Sequence, residues 1–449
     1  MNTSYKMKPI GLNKIKFNIN ILKTQKKYFY VIRIGIAIKR SKMNLISWLN
    51  SQQEFPKIYW KNRNSKIEVA SSKILALFYR FKHMISFGYL RGNTKMATRF
   101  YIIQPFMSSK NKNTLVTAWE ELITKNITLP KIEIIKFCLS TYIGLNLLNK
   151  VERQQLNEIF TQEFVAYKNK IKSASSIRTI TYSQCLKNWT NEIKQSFKHI
   201  KHNSLEKIVL ARRKILEFET DLNSLSIIQQ LKHKQYNSYN FGLFINTNCG
   251  FIAFSPERLY KRKTNIITSE AVAGTRLRGR TQKHDLRLAF NLICSCKDFN
   301  EINIVKQYLV NKTKNIGNIV KVQLHYSIMQ TSNVQHLYSR LQAKLKSNMS
   351  DQKIIRNLHP TPAICGSPQQ AASKCIPLFE NFYRTCYASP VGYFNTDNSS
   401  MKISIRSAFI NKRKILIIAG CGILNSSIVL KEWNEVENKM NNFNTIIES

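Results

Sequence analysis

The stretch VGYFNTDNSSMKISIRSAFINKRKILIIAG, residues Val391–Gly420, decides the fold class of this chain. It contains three apolar runs rich in β-branched residues: Val391–Phe394, Met401–Phe409 and Lys414–Gly420. Short connections that contain Asn, Asp and Lys separate the runs, and such residues are typical of tight turns between strands. The stretch therefore predicts three successive antiparallel strands.

The pattern on both sides of this stretch alternates between strands and helices. Further strands are predicted at Lys207–Arg212, Tyr239–Ile245, Gly250–Phe254, Leu259–Arg262, Asn265–Thr268 and Val320–Met329. Helical spacing of apolar residues predicts helices at Lys131–Asn149, Val151–Phe164, Tyr182–His202, Ser226–Lys234, Lys283–Val310 (with a weak point near Asp298), Gln369–Asn381 and Leu430–Ile447. Strand runs broken by helices, without a regular βαβ order, indicate an α+β fold with mainly antiparallel sheet.

The charge balance is strongly basic, with 70 Lys and Arg against 25 Asp and Glu and a formal net charge of +45. A polyanion partner would explain it, because Lys and Arg neutralise phosphates. Mutational bias also explains it, since Lys, Asn and Ile are abundant while only 14 Gly and 10 Pro occur. The Lys residues are scattered rather than clustered, which favours bias, and no nucleic-acid partner is expected. A basic nucleic-acid-binding protein remains the non-enzyme alternative.

Composition also bears on compartment and membrane contact. At 43% hydrophobic residues the 449-residue chain is globular, and its length suggests two or three folding units. It contains no uncharged apolar stretch of about 18 residues, so membrane insertion is not expected. The N-terminus lacks the features of a secretory signal. Nine cysteines without a C-x-x-C pair suggest reduced thiols rather than a zinc site or disulfide framework.

Several residues of the C-terminal half stand where a purely structural strand or helix would not need them. They are Lys207 opening an apolar strand, Glu257 in a turn after Ser-Pro, the small-residue loop Ala271–Thr275, Glu301 on a helix, Arg406 inside a strand, and Gly420 and Gly422 at a strand end. Glu432, Glu435 and Lys439 are spaced i, i+3 and i+7, which places them on one helix face. Each residue alone has an ordinary structural explanation, so the signal is their combination.

The combination resembles the chorismate-utilising enzymes. The matching stretches are KIVLAR (Lys207–Arg212), SPERL (Ser255–Leu259), SEAVAGTRLRG (Ser269–Gly279), SCKDFNEINIV (Ser295–Val305), LHPTPAICGSP (Leu358–Pro368), YASPVGYF (Tyr387–Phe394), ISIRSAF (Ile403–Phe409), AGCGILNSS (Ala419–Ser427) and EWNEVENK (Glu432–Lys439). A weaker resemblance begins at FPKIYWKNRN (Phe55–Asn64). The resemblance implies two mainly antiparallel sheets packed as a sandwich with helices outside. It divides the chain into a basic segment (1–43), a divergent N-terminal half (44–185) and a chorismate-binding catalytic region (186–449).

Within this family, Lys207 is similar to the base of the branches that use water as the nucleophile. The amine-transferring branches resemble the others but carry Gln there, and aminodeoxychorismate synthases put a nucleophilic Lys where this chain has Ala273. The resemblance therefore implies isochorismate synthesis, the isomerisation of chorismate. Salicylate synthase is the alternative, with component I of anthranilate synthase behind it.

The resemblance also implies roles for individual residues. Lys207 is the expected general base and Glu257 the expected general acid. Mg²⁺ is the expected cofactor, and Glu301, Glu435 and Glu432 are its expected ligands. The substrate-binding set is expected to be Gly274, Thr275, His359, Arg406, Gly420, Gly422 and Lys439. We expect a monomer or weak homo-oligomer, in the plastid stroma on grounds of composition bias or alternatively in a bacterial cytoplasm.

Overall fold

The structure is a computed structural model, and it describes residues 31–39, 43–64, 66–78, 98–106, 127–138, 140–148, 175–202, 204–233, 235–441 and 443. The predicted helix Val151–Phe164 lies outside these residues. Within them the fold is α+β and rich in antiparallel sheet, as predicted.

Twenty strands are described. They are β1 (Val31–Lys39), β2 (Lys57–Lys61), β3 (Ile67–Phe78), β4 (Phe100–Ile103), β5 (Ile127–Phe137), β6 (Ser140–Leu148), β7 (Ile177–Tyr182), β8 (Lys207–Phe218), β9 (Tyr239–Asn246), β10 (Cys249–Ser255), β11 (Arg258–Lys263), β12 (Ile266–Leu277), β13 (Gly317–Val322), β14 (Ser327–Gln330), β15 (Val334–Leu345), β16 (Gly366–Ser367), β17 (Pro390–Phe394), β18 (Asn398–Ile403), β19 (Ser407–Asn411) and β20 (Lys414–Ile423).

Eight helices are described in the same residues. They are α1 (Leu45–Ser51), α2 (Leu186–Lys201), α3 (Ser224–Lys232), α4 (Gln282–Ile293), α5 (Cys296–Ile316), α6 (Asp351–Leu358), α7 (Gln369–Phe379) and α8 (Val429–Met440). None of these described helices has the length and apolarity that a bilayer crossing requires.

The strands form two antiparallel runs that meet at β5. One run follows the order β1-β6-β5-β3-β2-β9-β10-β19-β20-β8-β7, and the other follows β4-β17-β18-β11-β12-β15, with β13 and β14 beyond β15. Tyr101 and Ile102 of β4 pair with the start of β5, which joins the runs into one hydrogen-bonded network.

Aromatic side chains pack between the two runs. Trp60 of β2 is fully buried and meets Tyr393 of β17 edge to face, with ring centroids 5.5 Å apart. Because Trp60 and Tyr393 belong to different runs, this contact shows that the runs face one another over a shared core. The N-terminal half contributes strands to both runs, through the β2–β9 and β4–β17 pairings. Described strands that precede residue 186 therefore pair with described strands that follow it in one hydrogen-bonded network.

The prediction of a helix at Lys131–Asn149 is wrong. The segment instead forms most of β5 and β6, which pair antiparallel from Ile132↔Leu145 to Phe137↔Ser140. The chain turns at Cys138, which has a φ of +52°. The apolar residues of the segment 131–149 also fit a helical spacing. Pairing with β3 and β1 overrides this local pattern, because Ile is β-branched and both strands are buried.

Two other predicted elements are interrupted in the structure. Met401–Phe409 is not one strand, because β18 ends at Ile403 and β19 begins at Ser407, with Arg406 at a φ of +52° between them. Val320–Met329 is likewise split between β13 and β14. The weak point near Asp298 is confirmed as a true break, since the Ser295 side chain accepts a hydrogen bond from the Asp298 N–H and caps a new helix.

Candidate active site

A cavity of about 690 Å³, part of it open to solvent, lies where β12, β20, α5 and α8 meet. Its lining includes many of the residues that the sequence singled out: Glu257, Gly274, Thr275, Glu301, Arg406, Gly420, Gly422, Glu435 and Lys439. These residues are spread over 183 positions of sequence, from 257 to 439, and strand pairing together with the packing of α5 and α8 on the sheet brings them together.

Lys207 reaches the cavity through Glu301. It is the first residue of β8, it is fully buried, and its Nζ donates to Glu301 Oε1 at 2.8 Å. Burial alone would raise the pKa of Glu301, but the nearby ammonium groups, Lys207 foremost, outweigh it and lower that pKa. The ion pair engages the nitrogen of Lys207, so Lys207 must leave Glu301 before it can act as a base.

Glu257 sits in the tight turn between β10 and β11. Its N–H donates to Ser255 Oγ at 3.1 Å, and only 5% of the residue is exposed. Burial raises the pKa of Glu257 to about 7, although Lys207 and the hydroxyl of Thr361 act in the opposite direction. A carboxyl with this pKa is partly protonated at neutral pH and can donate a proton to a leaving group.

The predicted metal ligands surround a lysine that sequence reasoning did not single out. Burial tends to lower the pKa of Lys297, but attraction to Glu432, Glu435 and Glu301 raises it. Lys297 forms an ion pair with Glu432, whose other carboxylate oxygen, Oε2, is buried and makes no hydrogen bond among the described residues. Three carboxylates thus surround one ammonium group.

This arrangement fits the chemistry of a divalent cation bound through oxygen. Glu301 and Glu435 both face the cavity, and carboxylate oxygens are the ligands that Mg²⁺ prefers. In the described part of the chain, no group of three acidic, His or Cys side chains converges closely enough to hold a metal alone. Mg²⁺ commonly takes only one or two protein carboxylates and completes its shell with water and substrate, and Glu301 and Glu435 are two carboxylates of that kind.

Arg406 presents a positive charge to the cavity. It is 7% exposed, it has no carboxylate within ion-pair distance among the described residues, and its Nη2 lies 3.3 Å from His336 Nε2. Burial lowers the pKa of Arg406 to about 10, so the guanidinium stays charged at neutral pH. A buried cation without an anionic partner favours a ligand that carries a carboxylate.

His336 is the site residue that sequence reasoning missed. Its Nδ1 lies 2.8 Å from the carbonyl oxygen of Gly274, which can only accept, so Nδ1 carries the proton and Nε2 accepts from Arg406. Burial and the charge of Arg406 lower the pKa of His336 to about 3, which keeps the ring neutral. It lies in HLYSRLQ, a segment of β15 for which we predicted no element, and no local motif marks it.

The segment Ala271–Thr275, which the sequence predicted as a loop, lies instead within β12, and together with the end of β20 it shapes the remaining wall. Gly274 has a φ of +68°, a conformation that favours glycine, and its N–H donates to Glu301 Oε2 at 3.3 Å. Lys439 Nζ donates to the carbonyl of Gly420 and to Glu435, both at 2.8 Å. Lys439 is therefore held in place by α8 and β20 together.

Three predicted site residues do not line the cavity: Lys207, which contacts its lining through Glu301, and also His359 and Glu432. His359 is buried elsewhere, with Nε2 3.1 Å from the Ala388 oxygen and its ring edge to face with Phe106. Burial lowers the pKa of His359 to about 4, so its ring is neutral and packs against Phe106. Glu432 is 1% exposed and lies behind Glu435, paired with Lys297.

Gly422→Ala is expected to lose activity while keeping its fold. A Cβ at this position would lie 2.5 Å from Lys207 Cε and 2.6 Å from Glu301 Oε1, and both atoms belong to side chains that can shift. Displacing Lys207 by about 1 Å is expected to lower kcat by about 100-fold. Steady-state kinetics with a thermal melt checks this. Gly250→Ala is the control, because its Cβ would press on Phe244 and Ser224. Wild-type activity in Gly422→Ala would contradict the placement of Lys207.

Comparison with known proteins gives consistent matches. The chain is similar to isochorismate synthase 2, chloroplastic, of Arabidopsis thaliana, with 38% identity over 249 residues that make up 55% of this chain and 44% of that protein. It is also similar to isochorismate synthase MenF of Escherichia coli (strain K12), with 28% identity over 425 residues, 93% of this chain and 94% of that protein. The chain thus spans less than half of the plant relative and nearly all of the bacterial one.

The structural comparison agrees. The solved structure of MenF, the menaquinone-specific isochorismate synthase from Escherichia coli, superimposes with a TM-score of 0.80 and 25% identity over 96% of both chains. The family model described as chorismate binding enzyme matches residues 20–448. Because that model spans nearly the whole chain, the chain belongs to the chorismate-binding enzyme family.

Proposed function

We propose that this chain is an isochorismate synthase, which converts chorismate to isochorismate by adding water at C2 and expelling the C4 hydroxyl. One observation carries the proposal: Glu257, a buried carboxyl whose pKa burial raises to about 7, faces the cavity, and the buried ammonium of Lys207 lies close enough to act on it. Water is a poor nucleophile and hydroxide a poor leaving group, so the reaction needs both a base and an acid.

The residues around the cavity have complementary parts in this reaction. Lys207, once released from Glu301, takes a proton from the attacking water. Glu257 gives its proton to the departing C4 oxygen, so the hydroxyl leaves as water. Arg406, oriented by neutral His336, pairs with one carboxylate of the dianionic substrate. The N–H groups and carbonyls around Gly274 and Gly420 complete the wall against which the ring lies.

Mg²⁺ is the cofactor that we propose, with Glu301 and Glu435 as protein ligands and Glu432 behind them. When bound, it would neutralise the second substrate carboxylate and draw electron density from the ring. The support for this assignment is the oxygen-only donor set and the unpartnered Glu432 Oε2 among the described residues. In the structure each of these carboxylates forms an ion pair with a lysine: Glu301 with Lys207, Glu432 with Lys297, and Glu435 with Lys439.

Salicylate synthase and component I of anthranilate synthase remain the alternative activities. Lys207 disfavours the anthranilate assignment, because the amine-transferring branches resemble this chain except for Gln at that position. Salicylate synthesis uses the same base, acid and metal and adds the elimination of pyruvate, so the products distinguish it. We further propose that isochorismate from this enzyme feeds menaquinone or phylloquinone synthesis, in a plastid or, alternatively, in a bacterium.

Product analysis tests the proposed function directly. Chorismate incubated with the protein and Mg²⁺ is expected to yield isochorismate at a rate that falls to background when EDTA is added. Chromatography separates isochorismate, salicylate and anthranilate, with an ammonium salt included in a parallel reaction. Salicylate with an equal amount of pyruvate would move the chain to the alternative. Folded protein that leaves chorismate unchanged in every reaction would refute the proposal.

A further inference from the structure

A second buried charge cluster lies beside the cavity and is built around Glu270 of β12. The side chain of Glu270 is 1% exposed, and it accepts hydrogen bonds from both terminal nitrogens of Arg63 at 3.1 Å. Arg258 Nη1 lies 2.5 Å from the same carboxylate. Arg63 follows β2, in the N-terminal half of the fold. The cluster therefore connects the divergent N-terminal half with the strand that leads to Gly274.

The cluster anchors the turn that carries Glu257 at two points, one before Glu257 and one after it. Arg63 Nη1 also donates to the carbonyl oxygen of Pro256 at 3.1 Å, and Pro256 immediately precedes Glu257. Arg258, which immediately follows Glu257, is bound to Glu270 and donates to the Tyr239 hydroxyl at 2.6 Å. The peptide that carries the acid is thus anchored before and after its side chain, and one carboxylate, Glu270, organises both anchors.

The negative charge of Glu270 raises the pKa of Glu257, and a raised pKa is what a general acid requires. Burial is the main cause of the raised pKa of Glu257, and Glu270 raises it further, whereas Lys207 and Lys439 lower it. Burial and its Arg258 neighbour hold the pKa of Lys402 well below its ordinary value. Its Nζ makes no hydrogen bond among the described residues and lies 3.8 Å from the centroid of the Tyr239 ring.

We propose that Arg63, through Glu270 and the Pro256 carbonyl, is a positioning residue for Glu257, so that the N-terminal half of the chain completes the active site. The inference rests on the proposed function, since it requires Glu257 to be the acid. A guanidinium suits this position because its planar fork can bind a carboxylate through two nitrogens and a carbonyl at the same time. Lysine has one nitrogen and cannot reproduce that geometry.

A double-mutant cycle tests the inference. Arg63→Met is expected to lower kcat by about 10- to 100-fold with a change in KM of less than about threefold, because the acid is misplaced while the substrate contacts remain. In a Glu257→Gln background the same change is expected to lower the residual rate by less than about twofold. Equal losses in both backgrounds would show that Arg63 does not act through Glu257 and would overturn the inference.

Two further variants keep the test decisive if Arg63→Met folds poorly. Arg63→Lys retains the charge and is expected to fold, with a kcat between those of wild type and Arg63→Met. Glu270→Gln removes the charge that raises the pKa of Glu257, so the alkaline limb of the pH profile is expected to move to lower pH. Wild-type kcat in Arg63→Lys together with an unmoved alkaline limb in Glu270→Gln would also overturn the inference.

The matched control is Arg262→Met, on the same strand as Arg258. Arg262 is a buried arginine that also pairs with a carboxylate, Asp351, at 2.7 Å and donates to backbone carbonyls, but those belong to Asn395 and Thr396. The Arg262→Met variant is expected to have a lower melting temperature than wild type but the same kcat per folded molecule. Full activity of Glu257→Gln would refute the acid assignment and the inference together. An inactive Glu257→Gln with a fully active Arg63→Met would refute the inference alone.

Discussion

Glu257→Gln is expected to lower kcat by about 100- to 10,000-fold, the range that loss of a general acid typically produces. Glutamine keeps the size and the hydrogen-bonding ability of the side chain but has no acidic proton. Because the proton is transferred only in the transition state, kcat and kcat/KM should fall together while KM stays nearly constant. Stopped assays of isochorismate formation at saturating and limiting chorismate measure both constants.

The pH profile adds an independent check of the same residue. The acid must be protonated, so the contribution of Glu257 is present below its pKa of about 7 and is lost as pH rises above it. The wild-type kcat/KM is therefore expected to decline above about pH 7, and the residual activity of Glu257→Gln should lack that decline.

Glu192 supplies a matched control for the pH profile. Burial also raises the pKa of Glu192 to about 7, but its carboxylate, on α2, accepts hydrogen bonds from Gln184 and does not line the cavity. Glu192→Gln is expected to leave both kcat and the alkaline decline unchanged. A decline that disappears in Glu192→Gln but persists in Glu257→Gln would show that the acid has been assigned to the wrong carboxyl.

Lys207→Met is expected to reduce turnover by at least about 100-fold, because water then has no base at the ring. Methionine nearly preserves the volume of the lysine stem, so packing against Gly422 is retained. Lys57→Met is the matched control: Lys57 is 2% exposed and opens another strand, where its Nζ donates to the Gln52 carbonyl at 2.6 Å. That variant is expected to keep wild-type kcat. Substantial turnover by Lys207→Met would require a different base.

The same variant tests the metal assignment without relying on activity. Lys207 would compete with a bound cation for Glu301, because both are positively charged and like charges beside one carboxylate repel one another. Lys207→Met is therefore expected to bind Mg²⁺ at least about tenfold more tightly than wild type in titration calorimetry at pH 8. Unchanged affinity would show that Glu301 does not hold the metal.

The sequence by itself determined the α+β class, most elements after residue 206 and the residues that meet at the cavity, including Glu257, Glu301, Arg406 and Lys439. The fold class is confirmed because most strand and helix patterns there agree with their propensities, and each of the named cavity residues lies in a local motif of the sequence.

Only the tertiary structure decided the features that depend on pairing between distant segments. The segment 131–149 carries an apolar spacing compatible with a helix, and strand partners from elsewhere in the chain make it β5 and β6. His336 rather than His359 meets Arg406, because the β12–β15 register brings His336 beside Gly274. Arg63 reaches Glu270 and Pro256 across 207 and 193 positions of sequence. A pattern within one segment cannot encode such contacts, because burial and charge at each position are set by the strands that pack against it.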